Sequence, residues 1–206
     1  MLKDKVNVAV LVSGGGTNLQ AVLDAIDNGL IKKAVVSIVI SNNPNAYALA
    51  RAKNADIKAV AIDKRGEKLT AILFEERIKE IIQKEKIDLI VLAGFLCVLT
   101  KDFCATYKNR IINVHPSLIP KFCGDGFYGL KVHEAVLAAG EQMTGATVHF
   151  VSEIVDGGDI IIQKQVKVNA FDTPEDLQQR VMKEAEWIIL PQAIELVSEK
   201  ILKGEI

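Results

Sequence analysis

Val6-Asn7-Val8-Ala9-Val10-Leu11-Val12-Ser13-Gly14-Gly15-Gly16-Thr17-Asn18-Leu19-Gln20-Ala21-Val22-Leu23 is the stretch whose reading decides the fold. Residues 6–12 are a short, valine-rich apolar run, as expected for a parallel strand covered on both faces. Residues 13–17 read as a turn. Leu19, Val22, Leu23 and Ile26 then recur at helical spacing until Asn28-Gly29 stops them. The same alternation continues outward. A strand is expected at 34–40, the turn Ser41-Asn42-Asn43-Pro44, a helix over 46–53, a strand at 57–62, an amphipathic helix from 67 to about 86, and a strand at 88–93. The first hundred residues thus read β-α-β-α-β-α-β, which predicts an α/β fold: a Rossmann-like, mostly parallel twisted sheet with helices on both faces.

The remainder has a different texture. A short helix (101–107) and a strand (110–114) lead into His115-Pro116-Ser117 and a long loop over 116–129. A helix over 130–139 stops at Gly140. Two β-rich segments, 144–151 and 159–168, flank the turn Val155-Asp156-Gly157-Gly158 and predict antiparallel strands added to the sheet edge. A long helix from about Thr173 closes the chain, with a break or kink expected at Pro191. With no repeat, low-complexity tract or linker, residues 1–206 read as a single domain whose halves, 1–100 and 101–206, share one sheet.

Composition narrows the function. The 206 residues carry 25 Lys+Arg against 26 Asp+Glu, and half of them are hydrophobic. That apolar share excludes intrinsic disorder, and about 70% of the unfolded surface is expected to be buried at this size. A net charge of -1 argues against a protein that coats nucleic acid, and 5% aromatics against a single-strand stacking platform. No apolar stretch approaches a membrane span, and the N-terminus does not read as an export signal. Cys97, Cys104 and Cys123 form no CxxC pair and read as reduced core residues, which fits a cytoplasmic location. His115, His133 and His149 are too widely spaced for a recognisable zinc pattern, so no metal is expected.

Three motifs carry chemistry. Gly14-Gly15-Gly16-Thr17-Asn18 lets the backbone approach an anion at a helix N-terminus, with Thr17 and Asn18 as side-chain donors and N-cap candidates; a tight structural turn is the alternative. It is a poor dinucleotide fingerprint, because Leu19 occupies the third glycine position and no acidic residue ends the second strand. Asn113-Val114-His115 ends a predicted strand, and strand alternation puts Asn113 and His115 on one face; a capping asparagine and a core histidine fit equally well. Asp156-Gly157-Gly158 taken alone reads as a turn, although a carboxylate beside His115 raises an imidazole pKa. His133 and His149 read as structural.

In combination the motifs resemble a known family. VAVLVSGGGTNLQAVLDA (8–25), DLIVLAGFLCVLT (88–100), IINVHPSLIPKFCG (111–124) and TGATVHFVSEIVDGGDIIIQK (144–164) resemble the phosphoribosylglycinamide formyltransferases, the folate-dependent GAR transformylases of purine synthesis. INVHPSLIP followed about forty residues later by DGG marks folate-dependent formyl transfer, and the SGGGTN loop narrows it to the GAR branch. The resemblance implies transfer of a formyl group from 10-formyltetrahydrofolate to the amine of glycinamide ribonucleotide (GAR), with no metal and no nucleotide cofactor. It implies that Asn113 hydrogen-bonds the tetrahedral oxyanion, that His115 is the acid–base, and that Asp156 raises the histidine's pKa so the imidazolium exists near neutrality. Gly15, Gly16, Thr17 and Asn18 match the phosphate loop. Leu96, Cys97, Val98 and Leu99, with Asn113, Ser152, Glu153, Ile154 and Val155, match the folate pocket. These matches make 1–100 the phosphate-binding half and 101–206 the catalytic and folate-binding half.

Two segments depart from the family pattern. The family often carries Arg where Leu96-Cys97-Val98 stands. Its Glu-His pair in the last helix falls on Ala185-Glu186, so Glu186 or Glu184 is expected at the ribose. The folate tail has Lys64, Arg65 and Lys68 as candidate partners. Other folate formyl enzymes are the nearest alternatives. A 10-formyltetrahydrofolate deformylase is disfavoured because the sheet starts at Val6, and a methionyl-tRNA formyltransferase because nothing beyond Ile206 supplies a basic domain. A non-catalytic protein holding a phosphorylated ligand is the alternative from another class. Small-molecule partners alone, and a monomer or weak homodimer, are expected.

Overall fold

The computed structural model describes residues 4–206; residues 1–3, where the segment read as no export signal begins, lie outside the described residues. The first half runs β1 (Val6–Val12), α1 (Thr17–Asp27), β2 (Ala34–Ser41), α2 (Tyr47–Asn54), β3 (Lys58–Ala61), α3 (Ala71–Lys84), β4 (Leu89–Leu92). The second runs α4 (Lys101–Thr106), β5 (Ile111–His115), α5 (Leu130–Ala138), β6 (Met143–Phe150), β7 (Ile160–Lys167), α6 (Pro174–Val181), a π-helical segment (Met182–Glu186) and α7 (Trp187–Lys203).

All seven strands join one sheet in the order β3-β2-β1-β4-β5-β6-β7. Strands β1 to β5 pair parallel with one another, whereas β6 pairs antiparallel with both β5 and β7, as the sequence texture predicts. Alternation along β1 sorts the core. Val6, Val8, Val10 and Val12 face a cluster with Leu19 and Val22 of α1 and Ile194 and Val197 of α7. Ala9 and Leu11 point the other way, onto Phe74 and Ile78 of α3. From β1 the chain steps outward through β2 and β3, then returns to β4 on the opposite side. That reversal leaves a crevice at the carboxyl ends of β1 and β4, where open α/β sheets bind ligands. Ser13 and the loop after β4 tie its walls together: Ser13 N–H donates to the Gly94 carbonyl at 3.1 Å, and Leu96 N–H to Ser13 Oγ at 2.8 Å.

Two helices differ from expectation. The helix expected from residue 67 starts at Ala71, because Gly66 N–H donates to Asp63 Oδ1 in a turn, Lys68 has φ 52°, and Thr70 caps α3 by accepting from Leu73 N–H. The closing helix is irregular at Met182–Glu186 and not at Pro191, which lies inside α7. Proline at 191 removes only its own N–H, whereas a π turn adds a residue and re-aims the side chains it carries. Among the described residues no helix is long and apolar enough to cross a membrane.

Candidate active site

The carboxyl ends of β1, β4 and β5 open into a cavity of about 350 Å³, within the range of small-molecule sites. Strand β5 supplies Asn113 and His115 on one face, and the antiparallel register sets His149 of β6 directly opposite Asn113. Asn113 Nδ2 lies 3.2 Å from His149 Nε2, while His149 Nδ1 lies 2.8 Å from the Phe150 carbonyl.

Asp156 completes the cluster from the β6–β7 connection. It has φ 54°, a left-handed conformation that Asp tolerates better than most residues. Gly158 allows the chain to close behind it, since a Cβ there would fall 1.8 Å from the Phe150 carbonyl oxygen. Asp156 Oδ2 lies 3.5 Å from His115 Nδ1 and accepts from Gly124 N–H at 2.9 Å; Oδ1 lies 3.5 Å from His149 Nε2. His115 Nε2 lies 2.8 Å from the Phe122 carbonyl.

Burial and charge compete here. Burial pushes the Asp156 carboxyl up, but the His149 hydrogen bond, the His115 ring and the Gly124 N–H outweigh it and leave the group below its usual value. His115 corrects an expectation. Asp156 and the Phe122 carbonyl do favour its charged form, as the sequence reading holds, yet burial is the larger effect and the imidazole lies below its ordinary 6.5. Its resting form at neutrality is therefore neutral, with both nitrogens facing oxygens that can stabilise an acquired proton.

Of the glycine loop, Thr17 and Asn18 reach the cavity wall, whereas Gly15 and Gly16 are not among its lining residues. The N-cap of α1 is Gly16, at φ 73° and without a side-chain cap, so neither Thr17 nor Asn18 caps the helix as the sequence allowed. Asn18 Nδ2 instead donates to Glu186 Oε2 at 2.6 Å across the cavity floor. Burial raises the Glu186 carboxyl to about 7, with the Asn18 bond pulling the other way. Glu184 is exposed and lies outside the cavity, so of the two acidic candidates only Glu186 faces it.

Both segments matched to folate line the opposite wall. Leu96, Val98 and Ile154 form an exposed apolar rim, with Cys97, Leu99, Ser152, Glu153 and Val155 beside them. Glu153 pairs with Lys101 at 2.6 Å. The Cys97 thiol accepts from Asn42 Nδ2 at 3.0 Å; burial pushes it up, against the nearby charges of Lys64 and Arg65. Only Cys104 is buried; Cys97 and Cys123 are partly exposed, because they sit on the loops after β4 and before α5.

Two histidines read as structural belong to the site. His149 is signalled by β6 pairing opposite β5. His133, in the first turns of α5, is fully buried, lines the cavity and has no partner on either nitrogen; burial and the nearby His115 push it down to about 4. A larger depression of about 670 Å³ runs between α1 and α7 and shares Thr17, but none of the Asn113, His115, Asp156 cluster lies in it. Among the described residues no group of three or more His, Cys, Asp or Glu is arranged to hold a metal ion.

A doubly wound sheet that gathers an amide, imidazoles and a carboxylate at its carboxyl ends has the layout of an α/β enzyme for acid–base or acyl-group chemistry. Residues 6–194 match the family model described as formyl transferase, and the chain belongs to that family. It is 40% identical over 192 residues to the phosphoribosylglycinamide formyltransferase of Haemophilus influenzae, covering 93% of this chain and 87% of the relative. It is also 39% identical to the trifunctional purine biosynthetic protein adenosine-3 of Gallus gallus, covering 95% of this chain but only 19% of that longer protein. In three dimensions it resembles glycinamide ribonucleotide transformylase 1 from Symbiobacterium toebii, with a TM-score of 0.87 and 39% identity over 95% of this chain and 89% of that one. The family read from the four motif stretches is the one these similarities show.

Proposed function

We propose that this enzyme transfers the formyl group of 10-formyltetrahydrofolate to the amine of GAR. The observation that carries the reading is the approach of Asp156 to His115 at 3.5 Å, with Asn113 beside them on a cavity floor, in a formyl transferase. The amine nitrogen attacks the formyl carbon and gives a tetrahedral oxyanion. Asn113 carries two amide N–H groups, one of them beside His149 Nε2, and the other can donate to that oxyanion, a contact worth roughly 3 kcal/mol in such sites. Neutral His115 accepts the proton the amine loses, and the oxyanion and Asp156 stabilise the resulting imidazolium. The proton then passes to the folate nitrogen as the carbon–nitrogen bond to the donor breaks, so tetrahydrofolate leaves and the formyl amide remains.

The two walls divide the substrates. Thr17, Asn18 and the glycine turn take the phosphate, and Glu186 the ribose hydroxyls. The apolar rim of Leu96, Val98 and Ile154 suits a flat heterocycle with its aryl tail. Gly15 and Gly16 serve through backbone N–H groups. A cytoplasmic protein, monomeric or weakly dimeric, that acts on small molecules belongs to the same reading. The test incubates purified protein with 10-formyltetrahydrofolate with and without GAR: folate release that depends on GAR is expected, and release that ignores GAR or never occurs rejects the reading.

A further inference from the structure

Helix α2 lies behind the glycine turn and holds two of its carbonyls. Ala48 N–H donates to the Gly14 oxygen at 3.1 Å, and Arg51 Nε–H to the Gly15 oxygen at 2.9 Å. Across a trans peptide the carbonyl and the following N–H point in opposite directions. Turning both carbonyls toward α2 therefore turns the Gly15 and Gly16 N–H groups away from it. Arg51 Nη1 also donates to Gln20 Oε1 at 3.0 Å, which clamps the turn against the start of α1, and its guanidinium sits 5.1 Å above the Tyr47 ring. The fit is close: a Cβ on Gly16 would fall 2.6 Å from Ala48 Cβ. Beyond the turn, buried Asn18 lines the cavity with its Oδ1 unpartnered, an acceptor that suits a hydroxyl donor of the ligand whose phosphate the turn faces.

We propose that Arg51 is a positioning residue for the substrate phosphate. Through the Gly15 carbonyl it keeps the Gly15 and Gly16 N–H groups presented to phosphoryl oxygens, and it sets a permanent positive charge behind the turn. A lysine in its place keeps the charge and one donor but not the bridge to Gln20, and a methionine keeps only the apolar stem. The inference rests on GAR as substrate.

The test compares wild type, R51M and R51K in steady-state kinetics with GAR and with glycinamide riboside, the same compound without its phosphate. R51M is expected to raise KM for GAR about tenfold, because the Gly15 and Gly16 N–H groups lose their fixed aim and the turn loses the charge behind it. Its kcat, its KM for 10-formyltetrahydrofolate and its kcat/KM for the riboside are expected to stay within about twofold, since these do not use the phosphate contact. R51K is expected to raise KM for GAR less, by about threefold over wild type. If R51M does not fold, R51K carries the test, with KM for GAR raised about threefold and the riboside unaffected. An unchanged KM for GAR in both variants, or in R51K where R51M does not fold, overturns the inference. So does an equal loss with both substrates, which marks a purely structural brace. Wild-type protein inert toward GAR overturns the substrate reading itself, before the variants are compared.

Discussion

Asn18 Nδ2 and Glu186 Oε2 meet at 2.6 Å, a hydrogen bond to a carboxyl group that burial raises from 4.5 to about 7. Between those values the folded protein keeps a proton that the unfolded chain releases. Stability therefore falls as pH rises from 4.5 to about 7 and is level above, by on the order of 3 kcal/mol. Glu186→Gln removes the charge, so it is expected to raise the melting temperature near pH 8 and to change it little near pH 4.5. It is also expected to raise KM for GAR, because the amide replaces the carboxyl group proposed to bind the ribose. Equal shifts in melting temperature at both pH values would contradict the assignment.

His133 acts in the opposite sense. Its folded value of about 4 lies below its ordinary 6.5, so the unfolded chain takes up a proton first and stability is lost as pH falls through that window. Buried His115, also shifted down, adds to the same slope. In wild type these slopes and that of Glu186 oppose each other. Glu186→Gln is expected to expose an acid-side loss of stability, and His133→Gln to leave a net decline toward neutral pH. Melting curves between about pH 4 and 8 check this, and parallel profiles for the two variants would contradict it.

In the proposed mechanism the Asp156–His115 contact sets the pH response of catalysis. Activity is expected to fall as acid protonates His115, with the limb below 6.5. Asp156→Asn removes a charge that favours the imidazolium, so the limb is expected to move to lower pH while turnover drops about 10²- to 10⁴-fold. His115→Ala is expected to lose turnover on the same scale and to keep substrate affinity. Initial rates across pH, with separate binding titrations, decide it. Near-normal turnover in either variant removes that residue from its role.

Gly158 tests the backbone support beneath Asp156. A Cβ 1.8 Å from the Phe150 carbonyl forces the connection outward, so Gly158→Ala is expected to cost more than about 2 kcal/mol in denaturant unfolding and to reduce turnover. Wild-type stability and rate in this variant would mean that the turn has room to relax.

The strands were legible because valine-rich runs between turns leave few alternatives, and because the pleat alone puts Asn113 and His115 on one face. Other features depend on contacts between distant segments. His149 joins the site through the β5–β6 register, and Asp156 reaches His115 through a left-handed turn residue and two glycines that admit close backbone approach. Glu186 faces the cavity from a π-helical segment that no periodicity in the last helix announced, while the visible signal, Pro191, marks no break. The sign of the His115 shift was missed for a related reason: the carboxylate is visible as a residue type, but the depth of burial that outweighs it is a property of the assembled site.

The most direct measurement follows the carbon itself. 10-Formyltetrahydrofolate carrying a ¹³C-labelled formyl group is incubated with GAR and the protein, and the products are resolved by mass spectrometry. The account expects the label in the formyl amide of the ribonucleotide, in step with release of tetrahydrofolate. Label recovered as free formate, or remaining on the folate, would contradict it.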